Sequence, residues 1–108
     1  MDRYLFIESL DPFESNDVAR MHEVVRGLAR ADNRVTLFLV QNGVLAARPR
    51  PGAEALTALA EEGVEILADE FSLRERGIRG ERLVGGVRPA ALDVVIDQLV
   101  EGRKALWH

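Results

Sequence analysis

The side chains that could take part in chemistry are few in this chain of 108 residues. There is no cysteine, which excludes disulfides, thiolate metal sites and every mechanism with a cysteine nucleophile. His22 and Glu23 begin like the zinc motif H-E-x-x-H, but Arg26 stands where the second histidine is required. The three serines, Ser9, Ser15 and Ser72, all lie outside a G-x-S-x-G nucleophile elbow.

Nucleotide-binding motifs are also missing, since the sequence contains neither G-x-G-x-x-G nor G-x-x-x-x-G-K-[ST]. We therefore assign no catalytic residue, no metal ligand and no cofactor from the sequence. The leading interpretation of His22 is a packed, hydrogen-bonded histidine beside the apolar stripe of a helix.

The composition is that of one globular domain spanning residues 1–108, with 47% hydrophobic and 30% charged residues. The formal net charge of −4 argues against nucleic acid or an anionic membrane surface as the main partner. No apolar run has the length of a membrane span, and the first residues lack the layout of a signal peptide. We expect a cytoplasmic protein.

The elements that must position any site alternate between strand and helix. Strands are predicted at residues 4–7, 35–40, 64–68, 83–84 and 104–107. Helices are predicted from 15 or 16 onwards, at 54–62, at 69–76, and from Pro89 to Gly102 with Leu92, Val95, Ile96 and Leu99 facing inward. This order predicts a three-layer α/β/α sandwich around a mostly parallel five-stranded sheet.

In such a sheet, ligands bind beyond the carboxyl ends of the strands. The candidate ligand-binding residues at this rim are Ser9, Asp11, Gln41, Asn42, Asp69 and Arg76. Glu8 ends the first strand, Gly85 and Gly86 are placed after the fourth, and His108 follows the fifth. Two interpretations stay open: the acidic residues cap helices, or they line a pocket for a cation or a polar ligand.

Two segments, VTLFLVQNGV at 35–44 and GVEILADEFSLRERGI at 63–78, resemble the DsrE/DsrF-like family of YchN-like and TusBCD-related proteins. The resemblance implies a three-layer α/β/α domain that assembles into dimers, trimers or hexamers. In active family members, a cysteine just after the third strand carries a persulfide. Counting back from the Arg-Gly-Ile segment at 76–78, that cysteine position falls on Asp69.

Because a carboxylate cannot hold a persulfide, the sequence predicts a non-catalytic binding or scaffold subunit rather than a cysteine-dependent sulfurtransferase. Its expected partners are further copies of the chain, through Val44, Leu45 and Phe71, and sulfur-relay proteins. One alternative is a small-molecule-binding protein or enzyme that uses the acidic rim around Asp69. Another is a phosphoacceptor receiver domain, although Lys104 lies at the start of its strand rather than at the active end.

Overall fold

A computed structural model describes all residues from Met1 to His108. The strands are β1 (Arg3–Glu8), β2 (Arg34–Leu39), β3 (Glu65–Asp69), β4 (Val87–Ala90) and β5 (Lys104–Trp107). The α-helices are α1 (Asp17–Arg30), α2 (Glu54–Glu61), α3 (Glu70–Glu75) and α4 (Asp93–Val100), and two 3-10 helices cover Gln41–Ala47 and Gly80–Arg82. The sheet order is β4-β3-β2-β1-β5, and every neighbouring pair is parallel. The predicted α/β fold is confirmed.

The central strand β2 is buried from residue 35 to residue 39 because both faces of the sheet are covered at this point. Leu37 and Leu39 belong to a cluster of 16 buried residues that α1, α2 and α3 build on one face. Phe38 belongs to a cluster of only six on the opposite face, where α4 supplies Val95. One face is thus covered by three helices and the other by α4 alone.

The turn after β2 enters the 3-10 helix at Gln41–Ala47 instead of forming a hairpin. Gly43 lies so close to the end of β1 that a Cβ at this position would overlap the carbonyl oxygen of Glu8. The loops that follow β1 and β2 therefore pack directly against each other, which brings their polar residues to one edge. No helix of the fold combines the length and the apolar character needed to cross a membrane.

The predicted fourth strand is wrong in position. Residues 83–84 form no strand; Leu83 and Val84 are apolar because they pack from a loop against the larger core cluster. The strand is β4, so Gly85 and Gly86 precede it, and Pro89 lies within it instead of opening a helix. Proline lacks a backbone N–H, which an edge strand tolerates on its unpaired side.

The inward face predicted for the last helix is also wrong, apart from Val95. The helix buries Val95 and Gln98, whereas Leu92, Ile96 and Leu99 are 54%, 57% and 48% exposed. Successive residues of an α-helix are about 100° apart around its axis, so the buried face of α4 lies roughly 100° around the helix from the centre of its apolar stripe. A polar contact sets this rotation: Gln98 Nε2 donates to Thr36 Oγ1 at 3.2 Å beneath the helix.

Candidate functional site

The sheet's carboxyl edge brings the candidate residues together in two groups. Gln41, Asn42, Asp69 and Arg76 lie where β2 and β3 end, and Ser9 and Asp11 lie beyond the end of β1. No hydrogen bond joins a side chain of the first group to one of the second. The predicted residues therefore share an edge without forming a single constellation.

Asp69 is the N-cap of α3. Its Oδ2 accepts hydrogen bonds from the Ser72 backbone N–H at 3.0 Å and from Ser72 Oγ at 2.7 Å. Ser72 Oγ in turn accepts the backbone N–H of Gln41 at 2.8 Å. This contact holds Gln41 at a φ of +50°, a left-handed conformation that is uncommon for residues other than glycine. Through Ser72, the buried Asp69 carboxylate therefore connects the start of α3 to the turn that follows β2.

The spacing of three residues between Asp69 and Ser72 is that of a capped N–H and is visible in the sequence, whereas the contact of the Ser72 hydroxyl with Gln41 is not. Asn42 and Arg76 close the same region. Asn42 Oδ1 accepts Nε and Nη2 of Arg76 at 3.2 and 3.1 Å, and Arg76 Nη1 donates to the Ser72 carbonyl at 3.2 Å. All three nitrogens of the Arg76 guanidinium thus donate hydrogen bonds within the protein.

The second group shapes the turn after β1. Ser9 donates both its backbone N–H and its Oγ to the carbonyl oxygen of His108, at 2.8 and 2.9 Å. Asp11 Oδ1 accepts the backbone N–H of Phe13 at 3.0 Å and so closes a turn rather than capping α1. That helix begins at Asp17.

A partly buried contact between two polar side chains lies beside this turn. Glu8, which is only 1% exposed, faces Nδ1 of His108 with its two carboxylate oxygens at 2.9 and 3.0 Å. The sequence placed both residues at the rim but gave no sign of the pair, because 100 positions separate them. Glu8 ends β1 and His108 follows β5, and these two strands become neighbours only when the sheet forms.

The acidic rim does not form a cation site. No three histidine, aspartate or glutamate side chains lie close enough together to hold a metal ion. Glu8 bonds His108, Asp11 bonds its own turn, and Asp69 caps a helix. These three carboxylates therefore have partners within the chain.

These features define a small α/β protein whose all-parallel sheet ends in a rim without a thiol. The sequence profile of the DsrE/DsrF-like family matches residues 2–107. The chain belongs to the DsrE/DsrF-like family, which confirms the resemblance seen in its β2 and β3 segments.

Solved structures of similar fold cover the whole chain. MTH1491, a protein of unknown function from Methanobacterium thermoautotrophicum, has a TM-score of 0.84 at 23% identity, with 100% of both chains covered. The ychN protein of E. coli has a TM-score of 0.84 at 22% identity, again with 100% of both chains covered. BT1422 of Bacteroides thetaiotaomicron has a TM-score of 0.75 at 14% identity, with 99% of this chain and 95% of that one covered. Among curated proteins, no sequence matches significantly.

The capping role of Asp69 leads to a stability prediction. Asp69→Ala removes the acceptor for the Ser72 N–H and Oγ, and we expect a loss of about 1–2 kcal/mol in the free energy of unfolding. Asp69→Asn keeps an acceptor oxygen at an equally favourable capping residue and should cost much less. Urea unfolding of the two variants measures the difference. Equal losses for alanine and asparagine would contradict a role that depends on the cap.

His22 is buried in α1 and lines a small, mainly apolar cavity of about 130 Å³ with Phe13 and Leu56. The packing agrees with the interpretation favoured from the sequence, but the hydrogen bond expected there is absent, since His22 takes part in no side-chain hydrogen bond. Burial lowers the pKa of His22 below its ordinary value of 6.5, and the positive charge of Arg26 lowers it further, against the opposing effect of Glu23. The folded protein therefore disfavours the imidazolium at this position.

The lowered pKa predicts a loss of stability in mild acid. Below pH 6.5 the unfolded chain binds a proton at His22 that the folded chain resists, so the stability is present above pH 6.5 and is lost as the pH falls through the folded-state pKa. His22→Gln should lose less stability than wild type between about pH 7.5 and about pH 5.5. Chemical unfolding at both pH values tests this, and parallel losses in the two proteins would exclude the effect.

Proposed function

We propose that this chain is a non-catalytic, homo-oligomeric binding or scaffold subunit. The observation that carries the proposal is the outward orientation of the apolar stripe of α4. Together with Trp107 on β5, this stripe forms what we call the α4–β5 surface, made of Leu92, Ile96, Leu99, Val100 and Trp107.

The energetics of α4 favour a covering partner. Full burial of one large aliphatic side chain contributes about 1.5–3 kcal/mol, whereas a typical hydrogen bond such as that of Gln98 contributes about 0.5–1.5 kcal/mol net. An isolated protomer therefore forgoes several kcal/mol by turning Gln98 inward and leaving Leu92, Ile96 and Leu99 about half exposed. A second copy that covers these three side chains would recover much of this free energy.

The edge strand β5 presents a further exposed apolar side chain, Trp107, on the face of the sheet that α4 covers. Trp107 is the register partner of Ile7, so both side chains point to the sheet face on which α4 packs. Trp107 is 64% exposed, and β5 has a neighbouring strand on one side only. Apolar side chains beside an unpaired strand edge are typical of association sites.

The interface residues predicted from the sequence fit this surface poorly. Val44 is fully buried in the core of its own protomer and has no side-chain area to offer a partner. Phe71 is 60% exposed and remains available on the opposite face, near the carboxyl edge. We therefore place the main self-association surface on α4 and β5.

The proposal of a non-catalytic role rests on the residue that replaces the family's persulfide carrier. Asp69 has no sulfur, and its Oδ2 already binds the backbone and hydroxyl of Ser72. A small-molecule site around Asp69 has less support, because Asn42 and Arg76 bind each other there. Sulfur-relay proteins are the partners that the family resemblance suggests for such a scaffold.

A charge placed on the α4–β5 surface should dissociate the assembly. Wild type should have a native mass that is a multiple of 12.0 kDa, whereas Ile96→Glu should run at 12.0 kDa with an unchanged circular dichroism spectrum. The matched control is Val24→Glu, which alters a 51% exposed apolar residue on α1 and should leave the assembly intact. Light scattering at micromolar concentration measures all three proteins. A monomeric wild type, or an Ile96→Glu variant that assembles normally, would refute the proposal.

A further inference from the structure

The largest cavity of the fold lies at the end of the sheet opposite the predicted rim. It has a volume of about 260 Å³ and opens at the amino ends of β2 and β3. Its lining is mainly polar and consists of Arg34, Val35, Thr36, Gly63, Glu65 and Arg103. Thr36 and Glu65 project from the face that only α4 covers.

The carboxylates around this cavity are already neutralised. Glu65 Oε2 accepts Nη2 of Arg88 at 2.9 Å, and its Oε1 accepts Thr36 Oγ1 at 2.8 Å. Glu101 Oε2 lies 3.3 Å from Nε of Arg103 and 3.8 Å from Arg3. Glu65 therefore lines the cavity with its charge balanced by Arg88, and Glu101 is paired with Arg103.

Arg34, in contrast, has no such partner. Its side chain lines the cavity, and its guanidinium takes part in none of the side-chain hydrogen bonds or ion pairs of the protein. Its register neighbour on β1 is another arginine, Arg3. Two like charges on adjacent strands repel each other, so an anion beside Arg34 would be stabilised.

Arg103 supplies a second, fixed guanidinium. Its side chain is only 11% exposed, because Nη1 donates to Thr36 Oγ1 at 2.9 Å and Nε faces Glu101. Nη2 takes part in neither contact. A buried arginine held in this way loses little conformational entropy when it binds a ligand.

We propose that this cavity binds a small oxyanion, such as a phosphate or carboxylate group, between the guanidinium groups of Arg34 and Arg103. Planar guanidinium groups bind both kinds of anion through paired, charge-assisted hydrogen bonds. The volume is smaller than the roughly 300 Å³ at which pockets for drug-sized ligands begin. The site thus suits a free anion or a small metabolite rather than a nucleotide.

Binding can be measured by titrating inorganic phosphate, and separately acetate, into the intact protein at constant ionic strength, with chloride as the reference salt. Thermal melts should show a saturable rise in melting temperature for wild type. Arg34→Ala should weaken the affinity at least about 10-fold, the usual scale for loss of one charge-assisted contact. The matched control is Arg20→Ala, since the Arg20 side chain is 87% exposed on α1.

The outcomes separate the ligand classes and the proposal itself. Saturation by phosphate alone identifies a phosphate site, saturation by acetate alone identifies a carboxylate site, and saturation by both identifies an unselective oxyanion site. Each result supports the proposal when Arg34→Ala weakens the affinity at least about 10-fold. Without anion, Arg34→Ala should melt at the wild-type temperature or above, because it removes an unpaired charge. No saturable response to either anion, or equal responses in wild type and Arg34→Ala, would overturn the proposal of an oxyanion site.

Discussion

The hydrogen bond from Gln98 to Thr36 sets the rotation of α4 about its axis. This rotation leaves the apolar side chains of the helix exposed on one face of the protein. Both side chains are buried, and the Gln98 amide also lies 3.4 Å from Glu65 Oε1. Gln98 Oε1 has no partner, and reversing the amide would place this oxygen against the Glu65 carboxylate. Rotating the apolar stripe inward would break these contacts and place apolar side chains over Thr36 and Glu65, which remain hydrogen-bonded to each other.

The two ends of the sheet differ in how their charges are satisfied. At the carboxyl end, Asp69 and Glu8 bind Ser72 and His108 of the same chain. At the amino end, Arg34 is left without an ion-pair partner beside an open cavity. In this cysteine-free member of the family, we therefore propose the α4–β5 surface and the cavity at the amino end of the sheet as the binding features, in place of the rim where the family resemblance places a thiol.

The features that the sequence predicted correctly depend on local patterns. The apolar run of β2 and the spacing of Asp69 before a short helix identify their structures without knowledge of the rest of the fold. The rotation of α4 depended on a contact between residues 62 positions apart, and the Glu8–His108 pair on residues 100 positions apart. The prediction that Pro89 opens a helix was wrong because proline suits both the first turn of a helix and an edge strand.

Trp107 offers the most direct test that a second copy covers the α4–β5 surface. It is the only tryptophan, and it is 64% exposed in the protomer, so its fluorescence reports on this surface alone. The account predicts blue-shifted emission and weak acrylamide quenching at micromolar concentration, changing to red-shifted emission and strong quenching on dilution while the far-ultraviolet circular dichroism stays constant. Emission typical of a water-exposed indole at every concentration, with quenching that does not depend on dilution, would contradict it.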